Sequence, residues 1–382
     1  MDFNLTEDQK MLRRSVREFA EAEIAPHTRR LDESKEFPFD IFSRMGKMGY
    51  LGVTIPETYD GAGMSYLEYA IIIEEIARVD PAIALGVAAH NGLCTSHLFR
   101  FGSEDQKNRY LRRLTRGEFL GAWSLTEPTA GSDAGGTRSR AVRDGDHYIL
   151  NGSKTFATHG SVGQLCVVFC VTDPARGKKG ISAFLLEKGM EGFRHGKVED
   201  KMGMRASDTA EVIMENCRVP RSQLIGEEGM GFVNALEILD RGRIAIASLS
   251  LGTAQGAFEV ARKYAKERQQ FGKPIATFQA VAFMLADMAM RIEASRLLTY
   301  RAACVEDSGS ERVTKAAAMA KLFASETAVW VADHAVQILG GYGYVKDFPA
   351  EKYYRDAKLC TIGEGTSEIQ RLVIARSVLG LA

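Results

Sequence analysis

The sequence predicts an α+β multidomain protein, with an N-terminal all-α domain (residues 1–117), a central β-barrel-like domain (118–228) and a C-terminal four-helix bundle (229–382). Three observations carry this expectation. Apolar residues recur at helical spacing as far as Gly117. Short apolar or alternating runs divided by turns take over from Phe119. The helical period then returns from Gly229 in long stretches with short connections. A chain of 382 residues has room for two or three domains with substantial cores.

The elements follow in order. Thr6 with Gln9 forms a capping box, and Leu12, Val16, Phe19 and Ile24 continue at helical spacing until Pro26. A second helix holds Leu67, Ile71, Ile72 and Ile76, and Asp80-Pro81 interrupts it before an Ala-rich apolar segment reaches Leu98. Ser103 and Gln106 cap a short helix that ends near Gly117. Strands are expected at Tyr148–Leu150, Val167–Val171, Ile181–Leu186 and Val212–Met214, separated by Asp144-Gly145, Asn151-Gly152 and the Gly177–Gly180 loop. Long helices are expected over Phe232–Lys266, Phe278–Val305 and Arg312–Leu339. A last helix begins just after Ser367, capped by Ser367 with Gln370, striped by Ile369, Leu372, Val373 and Leu379, and stopped by Gly380.

Charge and cysteine usage narrow the function. Lys plus Arg and Asp plus Glu each number 49, a balance that argues against a nucleic-acid partner. No apolar run approaches the ~20 residues of a membrane span, so no membrane insertion is expected. The N-terminus has neither a basic nor an apolar signal region, and the six scattered cysteines contain no C-x-x-C pair. Together these point to reduced thiols and a cytoplasmic protein. His90, His97, His195 and His334 lack metal-ligand spacing, so no metal is expected.

Several segments can carry chemistry. Glu364 lies between Gly363 and Gly365, where a flat ligand can approach both backbone and carboxylate, and the following helix start offers N–H groups to an anion. A Glu in that position is ordinarily a solvated surface residue. Residues 123–136 leave a strand and turn through Thr126, Pro128, Gly131, Ser132 and Gly135, either as an ordinary turn or as a concavity of amides and hydroxyls for a polar ring or phosphates. Phe156-Ala157-Thr158 can present a ring and a hydroxyl to the same ligand. Asp240-Arg241-Gly242-Arg243 puts charge inside an apolar helix, where Arg243 pairs either with a bound anion or with Asp240. Gln337–Gly341 reads as a glycine-stopped helix end or a ligand turn.

Together these segments resemble the acyl-CoA dehydrogenase family over essentially the whole chain. Thr126-Glu127-Pro128 with Ala130-Gly131-Ser132-Asp133, Arg268 with Phe271-Gly272, Gln337 to Gly341, and Glu364-Gly365-Thr366-Ser367 with Ile369-Gln370-Arg371 occur in the family's order. The likeness is to the short- and medium-chain, butyryl-CoA dehydrogenase-like branch, which the Asp240–Arg243 and Glu364 segments follow.

The resemblance implies bound FAD and α,β-dehydrogenation of an acyl-CoA thioester, with Glu364 as catalytic base. It implies FAD contacts from Trp123, Leu125, Thr126, Ser132, Phe156, Thr158, Thr366 and Glu368. Phe271 would be a further FAD contact, and Arg268, Gln279, Gln337, Gly340 and Gly341 would reach the FAD of a neighbouring subunit in a homotetramer. It implies acyl-CoA contacts from Ser132, Asp240, Arg243 and Gly365. Electrons would leave to an electron-transfer flavoprotein; an oxidase passing them to oxygen and a non-catalytic CoA- or flavin-binding protein are the alternatives. Some members carry the base at the Gly242 position, where glycine cannot serve. Phe156 replaces a common Trp, His159 a common Asn, and Gly363 a common Tyr.

Overall fold

The computed structural model describes residues 4–381; Met1 to Phe3 of the N-terminal reading and Ala382 of the expected bundle lie outside them. Seven helices come first: α1 (Glu7–Phe19), α2 (Thr28–Ser34), α3 (Phe39–Lys47), α4 (Tyr66–Val79), α5 (Pro81–Ala89), α6 (Ser96–Phe101) and α7 (Glu104–Thr115). The Thr6/Gln9 and Ser103/Gln106 capping boxes form as the spacing predicts, and a third, Ser65 with Glu68, starts α4. Asp80-Pro81 divides two helices for a local reason: the Asp80 carboxylate accepts from the Ala82 N–H at 2.9 Å, and Pro81 takes the first helical position. Between α5 and α6 the chain widens into a π turn, His90–Thr95.

The central region is one mixed sheet built from β1 (Gly121–Ser124), β2 (Arg140–Asp144), β3 (His147–Thr158), β4 (Leu165–Val171), β5 (Ile181–Glu187), β6 (Phe193–Val198), β7 (Thr209–Pro220) and β8 (Leu224–Ile225). Its order is β6-β7-β3-β2-β4-β5-β8, with β1 parallel to β4. Asp144-Gly145 opens a tight hairpin in which Asp144 pairs with His147. Asn151-Gly152 does not separate two strands. It is a bulge within β3, where the register shifts between Leu150 and Gly152 and a Cβ on Gly152 would lie 2.3 Å from the Ser139 hydroxyl.

Then come α8 (Gly231–Glu267), a small hairpin of β9 (Gln269–Gln270) and β10 (Lys273–Pro274), α9 (Gln279–Ser308), α10 (Thr314–Leu339), α11 (Ala350–Cys360) and α12 (Ser367–Leu379). The four expected long helices are present, with α11 an addition. An 18-residue window of α8 has a mean hydropathy of 1.2, enough by length and composition to cross a membrane, but 78% of it is buried inside the protein. It is the spine of the fold. Gly252 and Gly256 let it touch the α4 backbone, since Cβ atoms there would lie 2.2 Å from the Glu74 and Arg78 carbonyl oxygens.

Two faces of the bundle have no cover among the described residues. Phe283 (62% exposed) and Met290 (64% exposed) project from α9, and the apolar stripe expected to bury α12 leaves Leu372 and Leu379 exposed.

Candidate active site

Glu364 sits in the turn between α11 and α12 with φ = +53°, and Gly365 follows with φ = +94°. This left-handed backbone is unusual for a residue with a side chain, and strain of this kind persists only where surrounding contacts fix it. Two donors supply them. Lys321 Nζ of α10 donates to the Gly365 carbonyl at 2.8 Å, and Gln370 Nε2 donates to the same oxygen at 2.9 Å. Gln370 therefore ties down the Glu364 turn instead of completing a capping box. The cap of α12 is Thr366, whose hydroxyl accepts from the Ile369 N–H at 3.3 Å, and Ser367 is already helical. The anion seat expected at this helix start is largely spent: the Ser367 N–H goes to the Thr361 carbonyl and that of Ile369 to Thr366.

The Glu364 carboxylate points inward, against α8. A Cβ on Gly242 would lie 2.2 Å from Glu364 Oε2, so the glycine leaves the space that the carboxylate occupies. That Oε2 is buried without a hydrogen-bond partner among the described residues. Burial pushes the Glu364 carboxyl up to about 7, against the opposing pull of Lys321 and Arg243. No described carbonyl accepts from the Glu364 N–H. A carboxylate with a raised proton affinity, a free oxygen and an adjacent unused N–H donor can take a proton while polarising a neighbouring carbonyl. The usual fate of a Glu before a helix, exposure to solvent, does not hold for this one.

Arg243, buried on α8, pairs with Asp240, which also accepts from the Thr314 hydroxyl; the alternative of a structural ion pair is thus realised. Its Nε is buried without a hydrogen-bond partner among the described residues.

The residues around 126 assemble at the edge of the sheet. The Thr126 carbonyl accepts from the Thr155 N–H at 2.8 Å, bringing the 126–133 loop beside Phe156 and Thr158 of β3. Phe156 is 65% exposed with φ = +59°, so its ring stands off the sheet. Ser132 is exposed and nothing lies within 4 Å of a Cβ on Gly131. Leu125 is buried and Trp123 turns inward, its indole N–H donating to His97 Nδ1 at 3.3 Å, so only backbone or ring edge is free at these two positions. The loop is held from beneath by a pair that sequence reasoning missed. Glu127 accepts from Lys154 Nζ at 2.7 Å, the Thr137 hydroxyl at 2.6 Å and two backbone N–H groups, and these partners together hold its carboxyl down at about 2 despite burial. A lysine at an inward position of an alternating strand was the available signal.

Arg268 and the Gln337–Gly341 turn meet elsewhere. Arg268, Tyr264, Gly340, Gly341 and Tyr342 line an open hollow of about 520 Å³ at the far end of α8, with Phe271, Gln279 and Gln337 exposed. Gly340 and Gly341 have nothing within 4 Å of a Cβ. Thr366 and Glu368 border a different hollow, with Trp330 and Asp333 of α10.

Three family models cover nearly the whole chain: the acyl-CoA dehydrogenase N-terminal domain at residues 6–118, the middle domain at 122–217 and the C-terminal domain at 229–379. The chain belongs to the acyl-CoA dehydrogenase family. The short-chain-specific acyl-CoA dehydrogenase of Clostridium acetobutylicum is 48% identical over 378 residues, 99% of this chain and 100% of that protein. Butyryl-CoA dehydrogenase from Megasphaera elsdenii superposes with a TM-score of 0.97 at 42% identity, over 99% of this chain and 100% of that one. A chain from the electron transferring flavoprotein structure of Acidaminococcus fermentans superposes at 0.98 with 49% identity, over the same shares. The helical, β, helical architecture expected from sequence is that of the acyl-CoA dehydrogenase fold.

Proposed function

We infer that the chain is an FAD-dependent acyl-CoA dehydrogenase that converts an acyl-CoA thioester to the trans-2-enoyl-CoA and passes the electrons to an electron-transfer flavoprotein. The observation that carries this is the Glu364 carboxylate, buried and unpaired against Gly242 in a chain of this family. Purified protein should be yellow with about one FAD per chain, bleach with an acyl-CoA and be reoxidised by an electron-transfer flavoprotein faster than by oxygen. A colourless protein that cannot be reconstituted sinks the reading, and rapid oxygen consumption moves it to an oxidase.

The residues fit the cofactor. The exposed Phe156 ring, the Thr126 and Thr158 hydroxyls and the open backbone at Gly131 offer a face and an edge to a flat ring system. When bound, FAD supplies the acceptor for the electron pair that leaves with the β-hydrogen. Glu364 takes the α-proton. An α-proton of a thioester is too weakly acidic for an ordinary carboxylate, so burial of the base and polarisation of the thioester carbonyl by the Glu364 N–H work together. Asp240, Arg243, Gly365 and Ser132 border the acyl-CoA. In this reading residues 1–117, 118–228 and 229–382 serve as the three domains, with the base on the last. The six free cysteines suit a reducing compartment, the cytoplasm.

Arg268 cannot serve the same cofactor as Glu364. Gly242 and Arg268 lie at the two ends of one helical stretch, which at 1.5 Å per residue separates them by about 39 Å. We therefore assign Arg268, Phe271, Gln279, Gln337, Gly340 and Gly341 to the FAD of a neighbouring subunit, and Thr366 and Glu368 to a cofactor edge at the second hollow. The exposed faces of α9 and α12 then pack between copies in a homotetramer. Arg268→Ala should weaken FAD retention and tetramer assembly together, because the guanidinium pairs with a pyrophosphate across an interface. Gel filtration with flavin absorbance checks this; FAD lost from an intact tetramer would remove the cross-subunit assignment.

Gly363 bears on substrate choice. The nearest atoms to a Cβ there belong to Leu359, at 3.7 Å or more, so the backbone at Gly363 leaves room for a side chain to begin. An aromatic residue would bury on the order of 150–250 Å². The enzyme should accept acyl groups bulkier near the thioester than butyryl, and Gly363→Tyr should cut turnover of those substrates far more than of butyryl-CoA. Equal loss across a panel of acyl-CoAs would mean that the position tunes the base instead.

A further inference from the structure

Lys321 of α10 is fully buried and has no carboxylate within 4 Å among the described residues. An unpaired ammonium in a protein interior is expensive, and its retention calls for a function. Its hydrogen bond runs to the Gly365 carbonyl, one residue from the base, in a turn where two successive residues hold φ > 0. Gln370 already supplies a neutral donor to that oxygen, so carbonyl satisfaction alone does not need a cation. We propose that Lys321 is a positioning residue for the reaction: its ammonium locks the Glu364–Gly365 turn and supplies the positive charge that lets Glu364 ionise in a buried site.

The charged and titratable groups that share this space come from every packed element. They are Glu364 and Glu368 from the C-terminal segment, Arg243 from α8, Cys360 from α11 and Tyr69 from α4. Arg243 is engaged by Asp240, whereas Lys321 has no such partner. Desolvation lowers the Lys321 ammonium to about 8, so it is still charged where Glu364 titrates. An opposite charge nearby typically favours the ionised carboxylate by about one to three pK units. Lys321 thus offsets part of what burial costs the base.

The inference rests on Glu364 being the base, and its test separates the two. Lys321→Gln keeps a donor and removes the charge; Lys321→Met removes both. Stopped-flow flavin reduction between pH 5.5 and 8 should show the midpoint for Lys321→Gln moved upward by about one pH unit, with roughly tenfold slower reduction at pH 6.5 and recovery toward pH 8. Lys321→Met should show the same shift together with a raised KM, because the turn is also loosened. A readout without turnover is the change in thermal unfolding caused by Glu364→Gln. Followed over the same pH range with Lys321 intact and again on the Lys321→Gln background, it reports the same midpoint. An unchanged midpoint, or slower reduction at every pH alike, would overturn the assignment and leave Lys321 a merely structural residue. Full flavin reduction by Glu364→Gln would instead overturn the base itself.

Discussion

Glu364→Gln should retain FAD and acyl-CoA yet lose flavin reduction by roughly 10²–10⁴-fold or more, the usual worth of a positioned base. Gln preserves the volume and can still stand in the space that Gly242 leaves, so the site keeps its shape. The wild-type rate should also rise with pH through about 7, because the reactive form is the carboxylate and burial has lifted its pKa to that value. Stability runs the other way. The folded-state pKa lies above the ordinary carboxylate value of 4.5, so ionisation opposes folding; the penalty grows as pH rises from 4.5 to 7 and is complete above. At 1.36 kcal/mol per pK unit it reaches about 3 kcal/mol at most. The Gln variant should therefore be inactive and more heat-stable than the wild type at pH 8, and equal to it near pH 4.5. Near-normal bleaching by substrate would move the base elsewhere; lower stability at pH 8 would mean that the carboxylate is not held as described.

What could be read in the sequence was what short stretches decide by themselves. Asp80-Pro81 and the two N-terminal capping boxes satisfy backbone groups within four residues, and each falls where its spacing predicts. Asn151-Gly152 looks like a turn because the same residue pair suits both a turn and a bulge; here β3 runs on through it, paired with β2 at Asn151 and with β7 on either side of the register shift. Thr366-Ser367 offers two competent caps in a row, and the choice falls to the residue whose hydroxyl faces the Ile369 N–H. The stripe on α12 predicts burial, but Leu372 and Leu379 find no cover among the described residues. The site follows the same division. Glu364 could be picked out from its flanking glycines and from family likeness. Its burial could not, since that depends on Gly242 from a separate helix. Lys321 was legible in principle: it shares a helical face with Ala317, Ala324 and Ala328, all buried, and a lysine on such a face is a sign of a polar acceptor in the core.

Gly242→Ala should be the most selective lesion the fold allows. The added Cβ would lie 2.2 Å from Glu364 Oε2 and 3.4 Å from Leu93 Cδ2, both at the mobile ends of side chains, with no backbone atom among the close contacts. The carboxylate must therefore move while the helix stays. Alanine favours a helix interior over glycine by about 1 kcal/mol, so stability should be unchanged or slightly raised. Glu364, however, is driven from the only place it fills against α8, and misplacing a catalytic group by about 1 Å costs on the order of 10²-fold. The expected variant is yellow, tetrameric, as heat-stable as the wild type, and slower in flavin reduction by about 10²-fold. Its counterpart Gly252→Ala supplies the contrast: that Cβ meets the Glu74 backbone carbonyl at 2.2 Å, so α4 and α8 must separate and stability should fall. If Gly242→Ala reduces its flavin at the wild-type rate, the carboxylate does not abstract the proton from its position beside α8, and the base must act from another rotamer or be another residue.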